Sequence, residues 1–523
     1  MYDLFLKTAR EIYEEAKKQN RLHYNPDYDT LKKWFSEEPD IRKTRYGSLE
    51  VDTEPTSRLA RFTKNNIDDK FGPDEEAFLV KAKQILSKEE LIAFDVIVGD
   101  GSEKISARMV VPKKHAHVCY GGTKLFKPGA VSDPTYWILF FVDEEFEKNK
   151  TRKQPDKKVM LRNAYSPEGK MVKFVNNSNY IGEWKKGIFA GEDYRVKLKN
   201  DAIFLHAGCR MDYLENVHGD FKTTSSLFAA LSANGKTSLT CKVLAKKGKE
   251  KSWLIQDDGG TLRKDGSFRG FEGGGVFVKT ERLNPSDQIE TYYGALRPNT
   301  YLENLYVEAD GEIDFYNIER TSNGRAVIER RDFMHSSSDI NVEKVDNLFL
   351  ITRGSIIPAV CKLSAEQAAA FMILGQSMES SAGDPTRAGQ LKNEFFYDPF
   401  IAGDKSAHAN LFYEILKANP HIKCYLINTG GVGEGENYHD ISLKDTMGIL
   451  DSLVRGGLED WEESIGTGLM VPRAVRTVDD ILMHPRKLYS AGEFEERQKA
   501  LDTHRAQYLE QFKGLDKRVA SVF

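Results

Sequence analysis

The chain has 523 residues, of which 75 are basic and 79 acidic, giving a formal charge of -4 at pH 7, with 40% hydrophobic and 29% charged residues. This is the composition of a folded globular protein long enough for two or more domains. Its charge balance excludes a whole-chain electrostatic hold on nucleic acid or anionic lipid, so any anion site is local.

Residues 1–20 mix acids and bases at helical spacing. They lack the apolar core of a secretory signal and the acid-poor bias of a transit peptide, and are expected to form a surface helix. Asn25-Pro26 and Glu54-Pro55 interrupt the rest of an N-terminal cap that runs to about residue 70. The β-like runs 91–98, 106–111 and 136–142, separated by turns containing Gly or Pro, predict one sheet in a first domain. His115 and His117 are placed on one strand face as a weak metal pair. The segment 144–173 is rich in lysine, but acids are interspersed and no aromatics alternate with the bases, so it reads as a solvated loop rather than a nucleic-acid patch. From about residue 200, the strand-length runs 202–205, 226–231, 253–255, 348–351 and 423–427 alternate with helix-length segments, which predicts mixed α/β structure around a nucleotide-type core. The charged stretch 493–519 predicts one or two surface helices. The longest apolar runs, 136–142 and 368–374, fall well short of the about 20 residues of a membrane span. Cys119, Cys209, Cys241, Cys361 and Cys424 lie far apart without a CxxC pair. They outline neither a disulfide framework nor a zinc site, and point to a reducing, cytoplasmic setting.

The sharpest chemical signal is ALSANGKT at 230–237, a near match to the phosphate loop G-x-x-x-x-G-K-[ST] that opens on Ala230 instead of glycine. In such a loop a strand feeds a tight turn whose amides face phosphate oxygens, with Lys236 as a point charge and Thr237 on a cation. Asp257 and Asp258 end the apolar run WLIQDD about one helix later, as metal-holding carboxylates at a strand end do. Lys185 and Lys186 before Gly187, and Arg325 in SNGRA, are candidate cations for phosphoryl transfer. His206, beside an apolar run, is either a metal ligand or a structural histidine. The glycine loop 428–435 either approaches a nucleotide or is a plain turn.

Taken in order, these pieces resemble the phosphoenolpyruvate carboxykinases, the ATP-dependent branch more than the GTP-dependent one. YIGEWKKGIF at 180–189 resembles the family's YGGEMKKGMF, and FEGG at 271–274 with Lys279-Thr280 resembles its FEGG…KT segment. YLENL at 301–305 through DGEIDF at 310–315 resembles LLENV…DGTIDF. YLINTG at 425–430, ISLKDT at 441–446 and HPRKLY at 484–489 resemble YLVNTG, ISIKDT and DPRNTY.

The resemblance implies an α/β, two-domain phosphoenolpyruvate carboxykinase-like fold with a P-loop-containing C-terminal nucleotide-binding domain. The expected division is an N-terminal substrate-binding domain over 1–200 and a nucleotide- and metal-binding domain over 201–523. It implies an ATP- and metal-dependent conversion of oxaloacetate to phosphoenolpyruvate, with Mn2+ and Mg2+ as metals and GTP left open as nucleotide. Lys186, His206 and Asp258 fall on the family's transition-metal ligands, with Thr237 and Asp257 at the metals as well. Leu231, Ser232, Ala233, Asn234, Gly235, Lys236, Thr237, Ser238, Arg325 and Thr446 fall around the nucleotide. Tyr180, Lys185, Lys186, Ser232 and Arg325 fall around oxaloacetate or the transferred phosphoryl group, and Arg58, with Arg61 as its competitor, on the substrate carboxylate. The expected partners are these small molecules, with neither nucleic acid nor membrane.

Departures from the pattern are equally specific. The loop has lost two glycines, at Ala230 and Ala233, Asp440 stands where the ATP branch places an arginine, and 382–389 does not follow the family's lid pattern. They leave open a kinase on the same scaffold with a different small-molecule acceptor.

Overall fold

The computed structural model describes residues 1–53, 62–144, 159–231, 234–319, 323–378, 390–398, 401–464 and 466–523. Arg58, Arg61, the basic run 148–158, Ser232, Ala233 and the 382–389 segment lie outside the described residues.

The apolar run at 136 forms the strand Tyr136–Phe141, and both of its faces are buried. Side chains alternate across a strand. Trp137, Leu139 and Phe141 therefore meet Phe5, Ile12, Phe78 and Leu86 of the helices Tyr2–Lys18 and Pro73–Leu86, while Tyr136, Ile138 and Phe140 share the opposite core with Trp184 and Ile188. The sheet runs in the order Leu22–Tyr24, Leu91–Ile97, Ser106–Pro112, Tyr136–Phe141, Met171–Asn176, Met160–Tyr165, Thr63–Asn65. The expected N-terminal helix is amphipathic: Phe5, Ala9, Ile12, Tyr13 and Ala16 recur every three or four residues and are buried.

On the opposite face of this sheet lies the helix Gly182–Lys199. A Cβ added at Gly187 would stand 2.6 Å from Ile138 Cδ1, and one at Gly191 2.7 Å from Tyr136 Cε1. Only glycine allows that approach. These two glycines, one turn apart, press the helix against the strand and fix the height at which Lys185 and Lys186 leave its first turns.

His115 and His117 do not share a strand. Pro112 ends the strand Ser106–Pro112, Lys113–His115 form a 3-10 turn, and His117 lies in the helix Ala116–Thr123. Proline has no N–H to continue the ladder, so the chain turns there. His117 Nδ1 lies 2.6 Å from Glu38 Oε2 and Nε2 3.1 Å from the carbonyl oxygen of Asn179, so the ring ties this helix to the segment before Tyr180.

In the second half, three parallel strands, Phe221–Ala229, Asn347–Thr352 and Lys423–Asn428, form the centre of an eight-stranded sheet. Phe228, Phe349 and Tyr425 stack across them with ring centroids 5.1 and 5.4 Å apart. One face is covered by the helices Ala365–Leu374 and Lys405–Ala418, the other by Leu443–Val454. The apolar run 368–374 is thus a core helix, buried on all sides, and no described helix is long and apolar enough to cross a membrane. The parallel strands end on one edge of the sheet, the place where open α/β sheets receive ligands.

The two halves interlock. Leu49–Val51 pairs in parallel with Tyr301–Glu303, and Phe204, Phe271, Tyr301 and Val327 join the core of the first half. The charged C-terminal stretch forms the helices Ala491–Leu509 and Lys517–Ala520, as expected, and all five cysteines are buried and free.

The first sheet also buries an ion pair. Arg108 donates from Nε and Nη2 to the two oxygens of Asp95, each at 2.7 Å, and Tyr24 Oη donates to Asp95 at 2.7 Å. Asp95→Ala, which strands the guanidinium, is expected to cost about 3–5 kcal/mol in urea unfolding. Asp133→Ala, at the exposed Arg10–Asp133 pair, should cost under about 1 kcal/mol.

Candidate active site

The strand Lys251–Gln256 delivers Asp257 and Asp258 at its C-terminal end. Three side chains converge on Asp258: Lys185 Nζ at 2.7 Å from Oδ2, His206 Nε2 at 3.0 Å from Oδ1, and Lys236 Nζ on the same Oδ1. Each comes from a different element: Lys185 from the glycine-seated helix, His206 from the end of Ala202–Leu205, and Lys236 from the start of the short helix Lys236–Cys241. Lys185 Nζ also lies 2.9 Å from Glu272 Oε1, and the other oxygen of Glu272 accepts from Gln256 Nε2 at 2.8 Å.

The charges are set by this crowding. Burial works against the Asp258 carboxylate, but Lys185, Lys236 and His206 outweigh it and hold its pKa well below the usual range. Burial also works against the Lys185 ammonium, and Asp258, Glu272 and Asp257 overcome it and raise its pKa. Asp257 is buried beside the charged Asp258, and its pKa is pushed up to about 7. Both of its carboxylate oxygens lack a hydrogen-bond partner among the described residues. Asp258 and His206, 3.0 Å apart, with Asp257 next in the chain, supply oxygen and imidazole donors of the kind divalent cations take, while the group of three such side chains whose ligand atoms all lie within 4.8 Å of one another among the described residues is Glu38, His115 and His117.

The phosphate-loop motif follows the strand Phe221–Ala229, and Gly235 takes φ 89° just before the helix, a conformation that favours glycine. Leu231 is buried and its carbonyl accepts from Asn234 N at 3.3 Å. The Asn234 side chain donates to Ser377 Oγ at 2.8 Å, and its carbonyl accepts from Thr429 Oγ1 at 3.0 Å. Asn234 therefore anchors the loop, and the glycine loop 428–435 borders it through Thr429. Ser238 Oγ accepts from Gln288 Nε2 at 3.1 Å, while Thr446 is buried and donates to Ser442 O at 3.2 Å within its own helix turn. Asp440 lies exposed in the short strand His439–Asp440.

A second group surrounds the Phe277 ring. Lys185 Nζ lies 5.1 Å from its centroid, the Arg325 guanidinium 5.9 Å and the Tyr180 ring 6.3 Å. Lys185 belongs to both groups and joins them. Lys186 does not reach Asp258: its Nζ donates to Glu183 Oε1 at 3.0 Å and lies 5.4 Å from the Tyr180 ring centroid. Consecutive helical residues point about 100° apart, so two neighbouring lysines face different partners. Sequence reasoning missed Glu272, although it lies inside the FEGG string. It also missed Phe277, Thr429 and the buried Lys173, which pairs with Glu183 at 2.7 Å. Thr429 lies inside the glycine loop 428–435, but nothing local marks Phe277 or Lys173, because their roles arise from contacts between distant segments.

Asn234→Ala and Ser377→Ala are each expected to destabilise the protein by about 1–3 kcal/mol, since each strands a buried polar partner. The double variant should cost about 1 kcal/mol less than their sum. Strictly additive unfolding energies would mean that the bond contributes nothing to the loop.

The order of these residues along the chain has counterparts in known proteins. Residues 21–481 match the sequence profile of the family described as phosphoenolpyruvate carboxykinase. A "phosphoenolpyruvate carboxykinase (ATP)" of Campylobacter jejuni strain RM1221 is 25% identical over 418 residues, covering 78% of this chain and 76% of the relative. A protein of the same description from Christiangramia forsetii is 26% identical over 328 residues, covering 61% of this chain and 58% of the relative. With the match spanning most of both halves, the chain belongs to the phosphoenolpyruvate carboxykinase family of enzymes.

Proposed function

We propose that this protein is an ATP- and metal-dependent carboxykinase that converts oxaloacetate and ATP into phosphoenolpyruvate, ADP and CO2. The observation that carries the reading is the convergence of Lys185, His206 and Lys236 on the half-buried Asp258. It puts the cation of a phosphate-loop motif and a candidate metal ligand pair on one carboxylate.

In this reading Lys236 leaves Asp258 for the nucleotide phosphates. They rest on the loop at 231–235 and on the first-turn amides of Lys236, Thr237 and Ser238, which lack partners within a helix. Ser232 and Arg58, outside the described residues, are proposed at the transferred phosphoryl and the substrate carboxylate, and Thr446 beside the nucleotide. Oxaloacetate lies against Tyr180 and Arg325 around Phe277. Lys185, held charged by its carboxylate neighbours, meets the oxygen on which negative charge grows. Loss of CO2 leaves an enolate, and its oxygen attacks the γ-phosphorus as ADP departs. Neutralisation and alignment of anions are the main demands of such a transfer. Mn2+ or Mg2+ would be held by Asp258 and His206, joined by Lys186 once it leaves Glu183, with Thr237 and Asp257 serving a second ion, and would supply positive charge to the substrate oxygen and the phosphates. The N-terminal 200 residues are proposed as the substrate-binding unit and the rest as the nucleotide-binding unit.

The test is a coupled assay of oxaloacetate with Mn2+ plus Mg2+ and ATP, GTP or ITP in turn, scoring phosphoenolpyruvate and nucleoside diphosphate. Product is expected with ATP. Lys236→Ala and Asp258→Asn should each lower kcat/KM by at least about 100-fold while circular dichroism stays unchanged. Full activity in both variants would overturn the site assignment. Nucleotide binding without turnover of oxaloacetate would move the protein to a different phosphoryl acceptor.

A further inference from the structure

Phe396 and Tyr397, consecutive and bulky, both stand in the left-handed region, at φ 55° and 57°. Such conformations are rare for large side chains and persist only where the surroundings impose them; they gather at functional sites. Here the surroundings are explicit. Phe395, Phe396 and Tyr397 are all buried. The Phe396 ring meets His408 edge-on at 4.5 Å and Phe412 at 5.3 Å, and Phe395 packs against Phe512 at 5.1 Å. Tyr397 N donates to Glu394 O at 2.8 Å, and Glu394 N to Leu374 O at 3.1 Å.

The strained turn aims one atom at the site. The carbonyl oxygen of Tyr397 lies 3.2 Å from His206 Nδ1. A carbonyl only accepts, so this contact is a hydrogen bond when Nδ1 carries the proton. The other nitrogen, Nε2, is the one facing Asp258. His408, under Phe396, has its Nδ1 3.5 Å from Oδ1 of Asp193, on the helix that carries Lys185.

We propose that the Phe395–Tyr397 turn positions His206: through its carbonyl, Tyr397 keeps a proton on Nδ1, so that a divalent cation arriving beside Asp258 displaces the proton of Nε2 to solvent and leaves that of Nδ1 in place. This deepens the carboxykinase reading and rests on it for the identity of the ion only. Tyr397 is a positioning residue, acting through His206 by its backbone. The strain at Tyr397 maintains the carbonyl's direction, which a relaxed extended backbone would turn away.

The test compares two substitutions that remove the same ring and differ in backbone preference. Tyr397→Gly accepts a positive φ, whereas Tyr397→Val, β-branched, resists it. Nitrogen-15 spectra of histidine-labelled, metal-free protein, with the His206 signal assigned through His206→Gln, report which ring nitrogen bears the proton. A protonated Nδ1 is expected in the wild type and in Tyr397→Gly. Mn2+ affinity, read by electron paramagnetic resonance on the same full chain, should stay within about threefold in Tyr397→Gly and fall about 10- to 100-fold in Tyr397→Val, the usual loss when a partner behind a metal ligand is removed. An unprotonated Nδ1 in the wild type, or equal Mn2+ affinities in the two variants, would overturn the proposal. The wild-type spectrum decides even if Tyr397→Val does not fold. Neither readout uses oxaloacetate, so failure of the carboxykinase assay and failure of this inference are distinguishable.

Discussion

The site is organised around one half-buried negative charge. Asp258 lies at the end of a core strand, where desolvation alone would neutralise it. It stays ionised because Lys185, His206 and Lys236 converge on it from three other parts of the chain. The dependence is mutual, since Lys185 is buried and keeps its proton through Asp258, Glu272 and Asp257. Removing any one member leaves another charge uncompensated in a low-dielectric setting, where the penalty is largest. The cluster therefore fixes the positions of these side chains and keeps Asp258 and Lys185 charged.

The scaffold can be understood as what delivers these groups. Gly187 and Gly191 let the helix of Lys185 touch the strand Tyr136–Phe141. Parallel pairing of Phe221–Ala229, Asn347–Thr352 and Lys423–Asn428 brings the phosphate-loop motif and the glycine loop to one sheet edge, where Thr429 and Ser377 hold Asn234. The loop has lost two of the family's glycines, and these side-chain bonds hold in place a backbone with less conformational freedom of its own. Strain appears in the same neighbourhood, at Phe396 and Tyr397, where packing on both sides can sustain it.

Much of this was legible in the residues. Alternation and run length predicted the strands at 91, 106, 136, 202, 348 and 423, because burial on both faces of a sheet demands continuous apolar runs. The amphipathic N-terminal helix and the charged C-terminal helices followed from spacing. His115 and His117 were misplaced on a strand because the run before them looked extensible, and Pro112 stopped it.

By itself the sequence determined the family, the α/β class and the short list of candidate chemical groups: a lysine-bearing phosphate-loop motif, paired aspartates, paired lysines, a histidine after an apolar run and an arginine in SNGRA. These are properties of contiguous strings, and strings carry their own spacing. Tertiary structure alone decided which members meet. It chose Lys185 over Lys186 for Asp258, because helical neighbours diverge by about 100°. It recruited Glu272, Phe277 and Thr429, and aimed the Tyr397 carbonyl at His206. Those choices depend on distances between segments far apart in the chain, which chain order does not encode and which packing sets.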